Sequence, residues 1–240
     1  MIHFSIQHFD EHDHQSLPSL PDWLGEHEQT EAARLKVPKR RSEYLSARLA
    51  VKELLRENVK ETQGLDLYRI EVRKEPSGRP FAVLNGDHCL PGRLSISHSH
   101  GWVFVAYAEA DIPFGVDAEQ VETRSEAFTG DYFTTAEQAM FGGQTSQKRD
   151  VSITLAWSAK EAYLKALGTG LGIDPRSLQV DFLPEIHGKW QPLRVSGLRL
   201  GLPVYSGYWA QRGVMVFTVC GQDVPLAAIQ AYMPVDWLAA

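Results

Sequence analysis

The feature that most constrains this chain is an order of elements that occurs twice in its 240 residues: a strand, a long helix and then several strands. Apolar residues recur at helical spacing over about 39–59 and again over about 151–167, which predicts the two long helices. The order predicts an α+β fold of two similar α/β lobes, residues 1–110 and 111–240, each a long helix packed on a mainly antiparallel sheet. No residue-level identity between the two halves is evident.

The shorter elements are predicted from alternation and from turn residues. A strand is expected at the start of the chain, and Thr134 or Thr135 is expected to cap a helix that follows a polar loop. Gly168 is expected to end the second long helix. A further helix is predicted at 26–36, and strands at 2–6, 67–73, 80–84, 94–97, 102–108, 112–117, 178–182, 190–195, 205–211, 214–219 and, as an edge, 227–232.

The second long helix carries a carboxylate and an amine one turn apart. Glu161 and Lys165 are four residues apart, so one helix face presents both. Asp117 and Glu119 are two apart in a predicted strand, where their carboxylates leave on the same side. Such oxygen ligands suit Mg²⁺. Each pattern also has a plainer interpretation, namely an exposed ion pair on the helix and the solvent face of an edge strand.

Charge and composition exclude several classes of protein. A net charge of −6 argues against general nucleic-acid binding. No apolar run reaches the length of a membrane span and no signal peptide is evident, so a cytoplasmic protein without a membrane partner is expected. Cys89 and Cys220 are too few for a disulfide framework or a structural zinc site. His12 and His14 could bind a metal, but a solvated loop is the favoured interpretation.

The segment from Arg34 to Arg56 is basic although the chain is acidic. It holds eight basic and two acidic residues, a local charge of +6, which leaves −12 for the remainder. Because this segment covers the first long helix, the polar face of that helix is predicted to bear the basic cluster. Such a face either binds a negatively charged partner or only solubilises the helix.

Four motifs occur in order along the sequence. They are Ser95-Ile96-Ser97-His98-Ser99, Gly115-Val116-Asp117-Ala118-Glu119, Phe133 with Glu137 four residues later, and Trp157-Ser158 through Lys160-Glu161-Ala162 to Lys165. Together they cover about half of the chain and resemble the 4′-phosphopantetheinyl transferases of the surfactin-synthetase-activating type. The resemblance implies a monomeric enzyme whose two lobes are related by a pseudo-twofold axis, with coenzyme A bound between them.

The resemblance also implies an activity and roles for particular residues. The activity is transfer of the 4′-phosphopantetheinyl group from coenzyme A to a serine of an apo acyl or peptidyl carrier protein. The metal ligands would be Asp117, Glu119 and Glu161, holding Mg²⁺ or, alternatively, Mn²⁺. Catalysis would fall to Glu161 as the base, acting directly or through a metal-bound water, and to Lys165 as the cation that neutralises the pyrophosphate. Coenzyme A would be bound in part by the N-terminal lobe, through Arg41, Arg48, Arg79, Ser97 and His98, and also by Lys165.

Two other functions remain open from the sequence. One is a different Mg²⁺-dependent phosphoryl enzyme that uses the same acids on a nucleotide and needs no carrier protein. The other is a catalytically silent module that binds coenzyme A or a carrier, although such a module has no need of Asp117, Glu119, Glu161 and Lys165 together. The carrier itself, whether for fatty acids, siderophores, other peptides or polyketides, is not predicted.

Overall fold

The structure is a computed structural model that describes residues 1–9 and 20–230. It divides into two compact units, Met1–Ile112 (the first unit) and Pro113–Ala240 (the second unit). Within the described residues, no helix is long and apolar enough to cross a lipid bilayer. The loop predicted around His12 and His14, and residues 231–232 of the predicted edge strand, lie outside the described residues.

The first unit packs one long helix against two antiparallel sheets. Its strands form the sheets β1-β6-β5 and β2-β3-β4, and its core lies where the long helix meets Val103, Val105 and Ile70. Pro38 begins the long helix, where its fixed φ is favourable and no backbone donor is lost. The elements are β1 (Ile2–His8), α1 (Glu26–Arg34), α2 (Pro38–Asn58), β2 (Ile70–Lys74), β3 (Pro80–Leu84), β4 (His88–Cys89), β5 (Arg93–Ser99) and β6 (Trp102–Ala108).

The second unit packs its long helix against a single antiparallel sheet in the order β7-β11-β10-β9-β8. Gly168 ends the long helix with φ of 72°, the left-handed conformation that glycine adopts readily. The elements are β7 (Phe114–Gln120), α3 (Glu126–Tyr132), α4 (Thr135–Gly142), α5 (Ser146–Leu167), β8 (Leu178–Phe182), β9 (Gln191–Gly197), β10 (Val204–Arg212), β11 (Met215–Gly221) and α6 (Leu226–Gln230). The predicted α+β class with antiparallel sheets is confirmed.

The helix cap predicted at Thr134 or Thr135 is present at Thr134. Its hydroxyl accepts from the Glu137 amide, and the Glu137 carboxylate accepts from the Thr134 amide. This reciprocal capping box satisfies two backbone donors that a helix start leaves without partners. The sequence spacing therefore located the start of α4 correctly.

Three local predictions are wrong. Residues 226–230 form α6 and not an edge strand, since its five residues, Leu, Ala, Ala, Ile and Gln, fit a short helix as well as a strand. The loop predicted before Thr134 contains α3, capped by the Ser125 hydroxyl. The strand predicted from residue 67 begins with one 3₁₀ turn, Leu67–Arg69, and becomes extended only at Ile70.

The two units share the register of their first strands. In the first unit, Ile2 lies opposite Ala108 on β6. In the second unit, Phe114 lies opposite Gly221 on β11. In each unit, the strand paired with the first strand also forms a hairpin with a two-residue turn, β6 with β5 and β11 with β10. Positions along the strands of one unit can therefore be matched one by one with those of the other unit.

This register assigns counterparts to the two acids of β7. Counting from the matched strand starts, Ser5 corresponds to Asp117. In the same way, Gln7 corresponds to Glu119. The first unit therefore carries a hydroxyl and an amide where the second unit carries two carboxylates.

The long helices also match at a buried lysine. Lys52 Nζ lies 2.6 Å from a Glu28 carboxylate oxygen, and Lys160 Nζ lies 2.7 Å from one of Glu137. All four side chains have no exposed surface. Both lysines are followed by a glutamate, which in the two helices is Glu53 and Glu161. The expectation that the halves share no residue-level identity is wrong, because the identities are few and become visible only when the buried ion pairs of the two long helices are matched.

Candidate active site

The second unit's long helix approaches β7 closely because a glycine lies between them. A side chain at Gly115 would put its Cβ 2.1 Å from the Ala162 carbonyl oxygen of α5. No residue with a side chain could occupy this position without moving the helix away from the strand. The glycine of the Gly115-Val116-Asp117 motif therefore determines how near the acids of β7 lie to the side chains of α5.

Lys165 reaches from α5 to Asp117. Its Nζ lies 2.7 Å from Asp117 Oδ1 and donates a second hydrogen bond to the Val116 carbonyl at 3.2 Å. The Asp117 side chain is 4% exposed. The plainer interpretation, a solvent-facing Asp117, is thus wrong, because the close packing of α5 covers this part of β7.

Glu119 lies beside the same pair. Arg124 Nη2 lies 3.8 Å from Glu119 Oε2, and Trp157 of α5 lies beside the same carboxylate. Burial and the negative charge of Asp117 raise the pKa of Glu119 to about 7, against the opposing influence of Arg124 and Lys165. A carboxylate in such surroundings favours a nearby proton or cation.

Glu161 belongs to the same charged cluster. Burial and then the charge of Asp117 raise the pKa of Glu161, while Lys165 lowers it. Asp117 is therefore the common neighbour of both glutamates. As they stand, however, no three Asp, Glu, His or Cys side chains of residues 1–9 and 20–230 lie close enough together to hold a metal ion.

Two members of this cluster were not singled out from the sequence. Arg124 bridges Glu119 and Glu122 at 3.8 Å and 3.6 Å, with its guanidinium 5.1 Å from the Phe128 ring centre. Trp157 was part of a motif, but no role was assigned to it. Only the side-chain directions in the folded unit reveal that both lie beside Glu119.

The predicted coenzyme A residues of β5 lie at a small cavity of the first unit. His98 is exposed, with Nδ1 4.0 Å from a Glu43 carboxylate oxygen, whereas the adjacent Ser97 is buried. His98 lines the cavity together with residues from the start and middle of α2, among them Lys39 and Ser46. A histidine and a lysine at one opening can bind a negatively charged group.

Arg79 lies at a different cavity of the first unit. Its guanidinium donates to the Glu75 carboxylate at 2.6 Å and 3.1 Å and lies 3.6 Å from Asp111. Arg93 lines the same cavity and donates to Asp111 at 3.0 Å. Two guanidiniums thus face this opening, each held by carboxylates of the unit itself.

The basic cluster of α2 is only partly on the surface. Arg48 is buried, with contacts of 3.8 Å to Glu28 and 3.7 Å to Glu31, and it stacks 4.2 Å from the Tyr44 ring centre. Lys52 is fully buried. The prediction that these two residues lie on an exposed polar face of α2 is therefore wrong, because each of them lies beside an acid of α1.

Other basic residues of the segment lie on the surface of the first unit, as predicted. Lys36, Lys39 and Arg40 are exposed around the start of α2. Arg41 is half-buried, and its Nε is shielded from solvent without a hydrogen bond. Both arginines predicted to bind the 3′-phosphate thus retain shielded nitrogens without a hydrogen bond, Nε in Arg41 and Nε and Nη2 in Arg48, and Arg48 also lies beside two acids of the first unit.

Comparison with known proteins agrees with the resemblance noted in the sequence. Residues 113–197 match the family model of the 4′-phosphopantetheinyl transferase superfamily. A 4′-phosphopantetheinyl transferase of Bacillus pumilus is 27% identical over 119 residues, which is 49% of this chain and 48% of that protein. A holo-[acyl-carrier-protein] synthase of Streptococcus agalactiae is 40% identical over 65 residues, 24% of this chain and 55% of that protein.

Other similar proteins carry related names. An L-aminoadipate-semialdehyde dehydrogenase-phosphopantetheinyl transferase of Schizosaccharomyces pombe is 30% identical over 154 residues, 58% of each chain. The chain spans about half the length of the curated relatives it matches. The crystal structure of Thermotoga maritima holo-[acyl-carrier-protein] synthase covers 55% of this chain and 76% of its own at 20% identity and a TM-score of 0.35, which is too weak a similarity to support an argument. The sequence matches bear out the recognition of the superfamily over residues 113–197.

Proposed function

Because residues 113–197 match the 4′-phosphopantetheinyl transferase superfamily, we propose that this chain transfers the 4′-phosphopantetheinyl group of coenzyme A to a serine of an apo acyl or peptidyl carrier protein. The observation that carries the proposal is the meeting of β7 and α5. There Lys165 lies 2.7 Å from Asp117, beside two glutamates whose pKa values are raised. Such a cluster of opposite charges suits a substrate that is itself a charged pyrophosphate.

The proposed reaction forms one bond and breaks one. The serine oxygen bonds to the phosphorus that carries the pantetheine arm, and the bond from that phosphorus to the bridging oxygen of the pyrophosphate breaks. The leaving group is adenosine 3′,5′-bisphosphate, and the serine proton passes to a base. Lys165, an ammonium on the open side of the Asp117 pair, is suited to neutralise the charge that develops on the leaving oxygens.

Glu161 is the proposed base. A serine hydroxyl is a weak nucleophile until a neighbouring group accepts its proton. Burial and Asp117 raise the pKa of Glu161 above that of an ordinary glutamate, and a base is most effective when its pKa is nearer to the working pH. The raised pKa supports this role over a purely structural one.

The acids also fit a divalent cation. Asp117, Glu119 and Glu161 supply only oxygen donors, as Mg²⁺ or Mn²⁺ prefers, and the mutual repulsion that raises two of their pKa values would be relieved by a positive ion. When bound, such a cation would neutralise charge on the pyrophosphate oxygens. The three residues are proposed as its ligands, with small side-chain movements required to bring them around one ion.

Coenzyme A is proposed to contact the first unit as well. His98 and Lys39 at one cavity, and Arg79 at another, offer cations suited to its phosphates. Ser97 is buried behind His98, so its proposed contribution is to fix the end of β5 rather than to reach solvent. Arg41 and Arg48 stay as the proposed 3′-phosphate residues.

The test combines the purified chain with coenzyme A, Mg²⁺ and a panel of apo carrier proteins. Mass spectrometry is expected to show the added phosphopantetheinyl group on at least one carrier, and chelation of the cation should remove the activity. Asp117→Asn keeps the shape of the side chain and is expected to lower the rate by more than about 100-fold without unfolding the chain. Unchanged turnover by this variant would contradict the role assigned to the cluster.

The same experiment separates the two other functions. A phosphoryl enzyme acting on a nucleotide would turn over without any carrier, and a silent module would bind coenzyme A with no product on any carrier. A monomeric state and a cytoplasmic location remain predictions from the sequence.

A further inference from the structure

Lys160 is fully buried, and its ammonium group is completely satisfied by three different segments of the second unit. Its Nζ donates to Glu137 Oε2 at 2.7 Å, to the Tyr132 carbonyl at 3.0 Å and to the Pro175 carbonyl at 3.0 Å. The Phe133 ring centre lies 4.7 Å from the same nitrogen. An ammonium group has three donors, and here each has an acceptor.

Both carboxylate oxygens of Glu137 also accept hydrogen bonds. One oxygen accepts from the Val180 amide at 2.9 Å and the other from the Thr134 amide at 2.8 Å, besides Lys160. The pair therefore joins the end of α3, the start of α4, the middle of α5, the turn after α5 and the first part of β8. Neither side chain is part of the cluster around Asp117.

The geometry fixes how α5 is rotated about its own axis. A buried charge without its partners is very costly, so the helix is held in the one rotation that delivers Lys160 to its three acceptors. Successive residues of an α-helix point about 100° apart, so fixing Lys160 also fixes the direction of Glu161, and with it Lys165 one turn later. Lys165 then reaches Asp117 at 2.7 Å.

We propose that Lys160 and Glu137 are positioning residues of the reaction: their buried ion pair sets the rotation of α5 that directs Glu161 and Lys165 toward β7. This inference rests on the proposed function for its catalytic consequence. Its structural content does not, because Trp157 on the same helix reports the rotation through the contacts of its indole with the Phe128 and Tyr132 rings, at 5.4 Å and 4.9 Å between ring centres. The two can therefore be tested separately.

The chain provides a matched control in its first unit. Lys52 donates to the Trp23 and Leu67 carbonyls at 3.0 Å and 2.9 Å and pairs with Glu28, which accepts from the Val72 amide at 2.8 Å. This is the same arrangement on α2. If such pairs only stabilise their units, disrupting either one should lower stability and leave the geometry of the cluster around Asp117 unchanged.

The experiment compares two double variants of the full chain. Lys160→Met with Glu137→Gln removes both charges of the second unit's pair, so that no unpaired charge is left buried. Lys52→Met with Glu28→Gln does the same in the first unit. The indole N–H resonance of Trp157, assigned by its loss in Trp157→Phe, is measured in each by NMR. We expect it to move in the first variant and to stay in place in the second.

Turnover supplies the second measurement. At saturating coenzyme A, kcat per folded molecule is expected to fall at least about tenfold in the second-unit variant, with a smaller change in KM, and to stay constant in the first-unit variant. A folded second-unit variant with an unmoved Trp157 resonance and unchanged kcat would overturn the proposal. Absence of turnover in the wild-type chain would count against the proposed function, while the resonance would still decide the positioning role.

If the double variant of the second unit does not fold, the single variant Glu137→Gln replaces it in the experiment. It keeps an oxygen for one of the two amides while removing the charge that orients Lys160, and the same resonance is expected to shift in the same direction by a smaller amount. An unmoved resonance in this folded variant would equally overturn the proposal.

Discussion

The two units of this chain repeat one framework but carry different side chains where the long helix meets the first strand. In the second unit three carboxylates gather there, and the pKa values of two of them are raised. In the first unit the Gln7 amide donates to Glu53 and to Ser5, each at 3.2 Å. The matched residues are Asp117 and Ser5, Glu119 and Gln7, and Glu161 and Glu53.

This difference separates what holds the fold from what performs chemistry. The buried lysine–glutamate pair is present in both units, so it belongs to the framework. The acid cluster is present in one unit only, and the other unit satisfies its glutamate with a neutral amide. Carboxylates that repel one another lower the stability of the folded unit. Groups that lower stability in this way are expected at functional sites.

The packing of the two long helices differs for a related reason. In the second unit α5 packs mainly on β7 and β11, and Gly115 leaves room for its backbone. The counterpart of Gly115 is His3, whose buried ring hydrogen-bonds to Glu109 at 2.8 Å. In the first unit α2 packs mainly on β6 instead. A glycine on β7 thus brings helix and acids together, whereas a histidine on β1 does not.

The largest effect is expected when a carboxylate is replaced by an amide at one of the matched positions, Glu161 and Glu53. Glu161→Gln is expected to lower kcat by roughly 100-fold or more, because it removes the proposed base and one proposed cation ligand. Glu53→Gln, the matched change on α2, is expected to leave kcat within about twofold, since Glu53 lies in the first unit and outside the cluster around Asp117. Rates would be measured with coenzyme A and an accepted apo carrier, and equal losses would show that the units do not differ as proposed.

The second test concerns Arg48 on α2, which occupies the position that Ala156 holds on α5. Arg48→Ala is expected to raise KM for coenzyme A about tenfold, and to change KM for the analogue lacking the 3′-phosphate much less, because a charge-assisted contact is lost only where its partner exists. Steady-state kinetics with both compounds would show this.

Arg48 also faces Glu28 and Glu31, so the melting temperature of Arg48→Ala must be measured beside its kinetics. A large fall in Tm with equal changes in both KM values would indicate that Arg48 serves only to neutralise these acids. Arg41→Ala is the companion variant, since that guanidinium is not engaged by Glu28.

The third test exchanges amide and carboxylate between the units. Glu119 holds its proton up to about pH 7 in the folded chain, against an ordinary value of 4.5, so the folded state binds more protons between these values. Its contribution to the free energy of unfolding therefore falls as pH rises through that window. With cations chelated, Glu119→Gln is expected to raise stability at pH 8 by about 1 kcal/mol, a few degrees in Tm.

The matched change should have the opposite sign. Gln7→Glu places a second carboxylate beside Glu53 and removes a hydrogen bond of 3.2 Å, so it is expected to lower the Tm at pH 8 and to lower it less at pH 5. Thermal unfolding at both pH values would show whether the sign reverses between the units. Two shifts of the same sign would refute the electrostatic account of the difference.

The smallest effect is expected from the exposed basic residues at the start of α2. Reversing Lys36, Lys39 and Arg40 to glutamate is expected to raise KM for an acidic carrier about threefold at low salt and to have little effect at high salt, because exposed charges are screened. Lys148→Glu changes an exposed residue at the matched start of α5 and serves as the control. An unchanged salt dependence in the triple variant would show that these three residues do not attract the carrier over a distance.

Much of the framework could be predicted from local sequence. Thr134 with Glu137, and Gly168, marked helix ends correctly, since caps depend on residues within one turn of each other. Residues 126–132 and 226–230 were mispredicted, because seven or fewer residues give too few repeats to reveal a helical period. The acids of the cluster could be named from spacing and family resemblance.

The sequence by itself determined the α+β class, the two long helices and the carboxylates that one strand and one helix can offer. Only the tertiary structure decided which charges are buried and with what partners. In the folded chain, Arg48 and Lys52 are buried beside acids of α1. Lys160 pairs with Glu137, and Lys165 pairs with Asp117. The physical reason is that each of these contacts joins residues more than ten positions apart, so its distance depends on packing rather than on any local period.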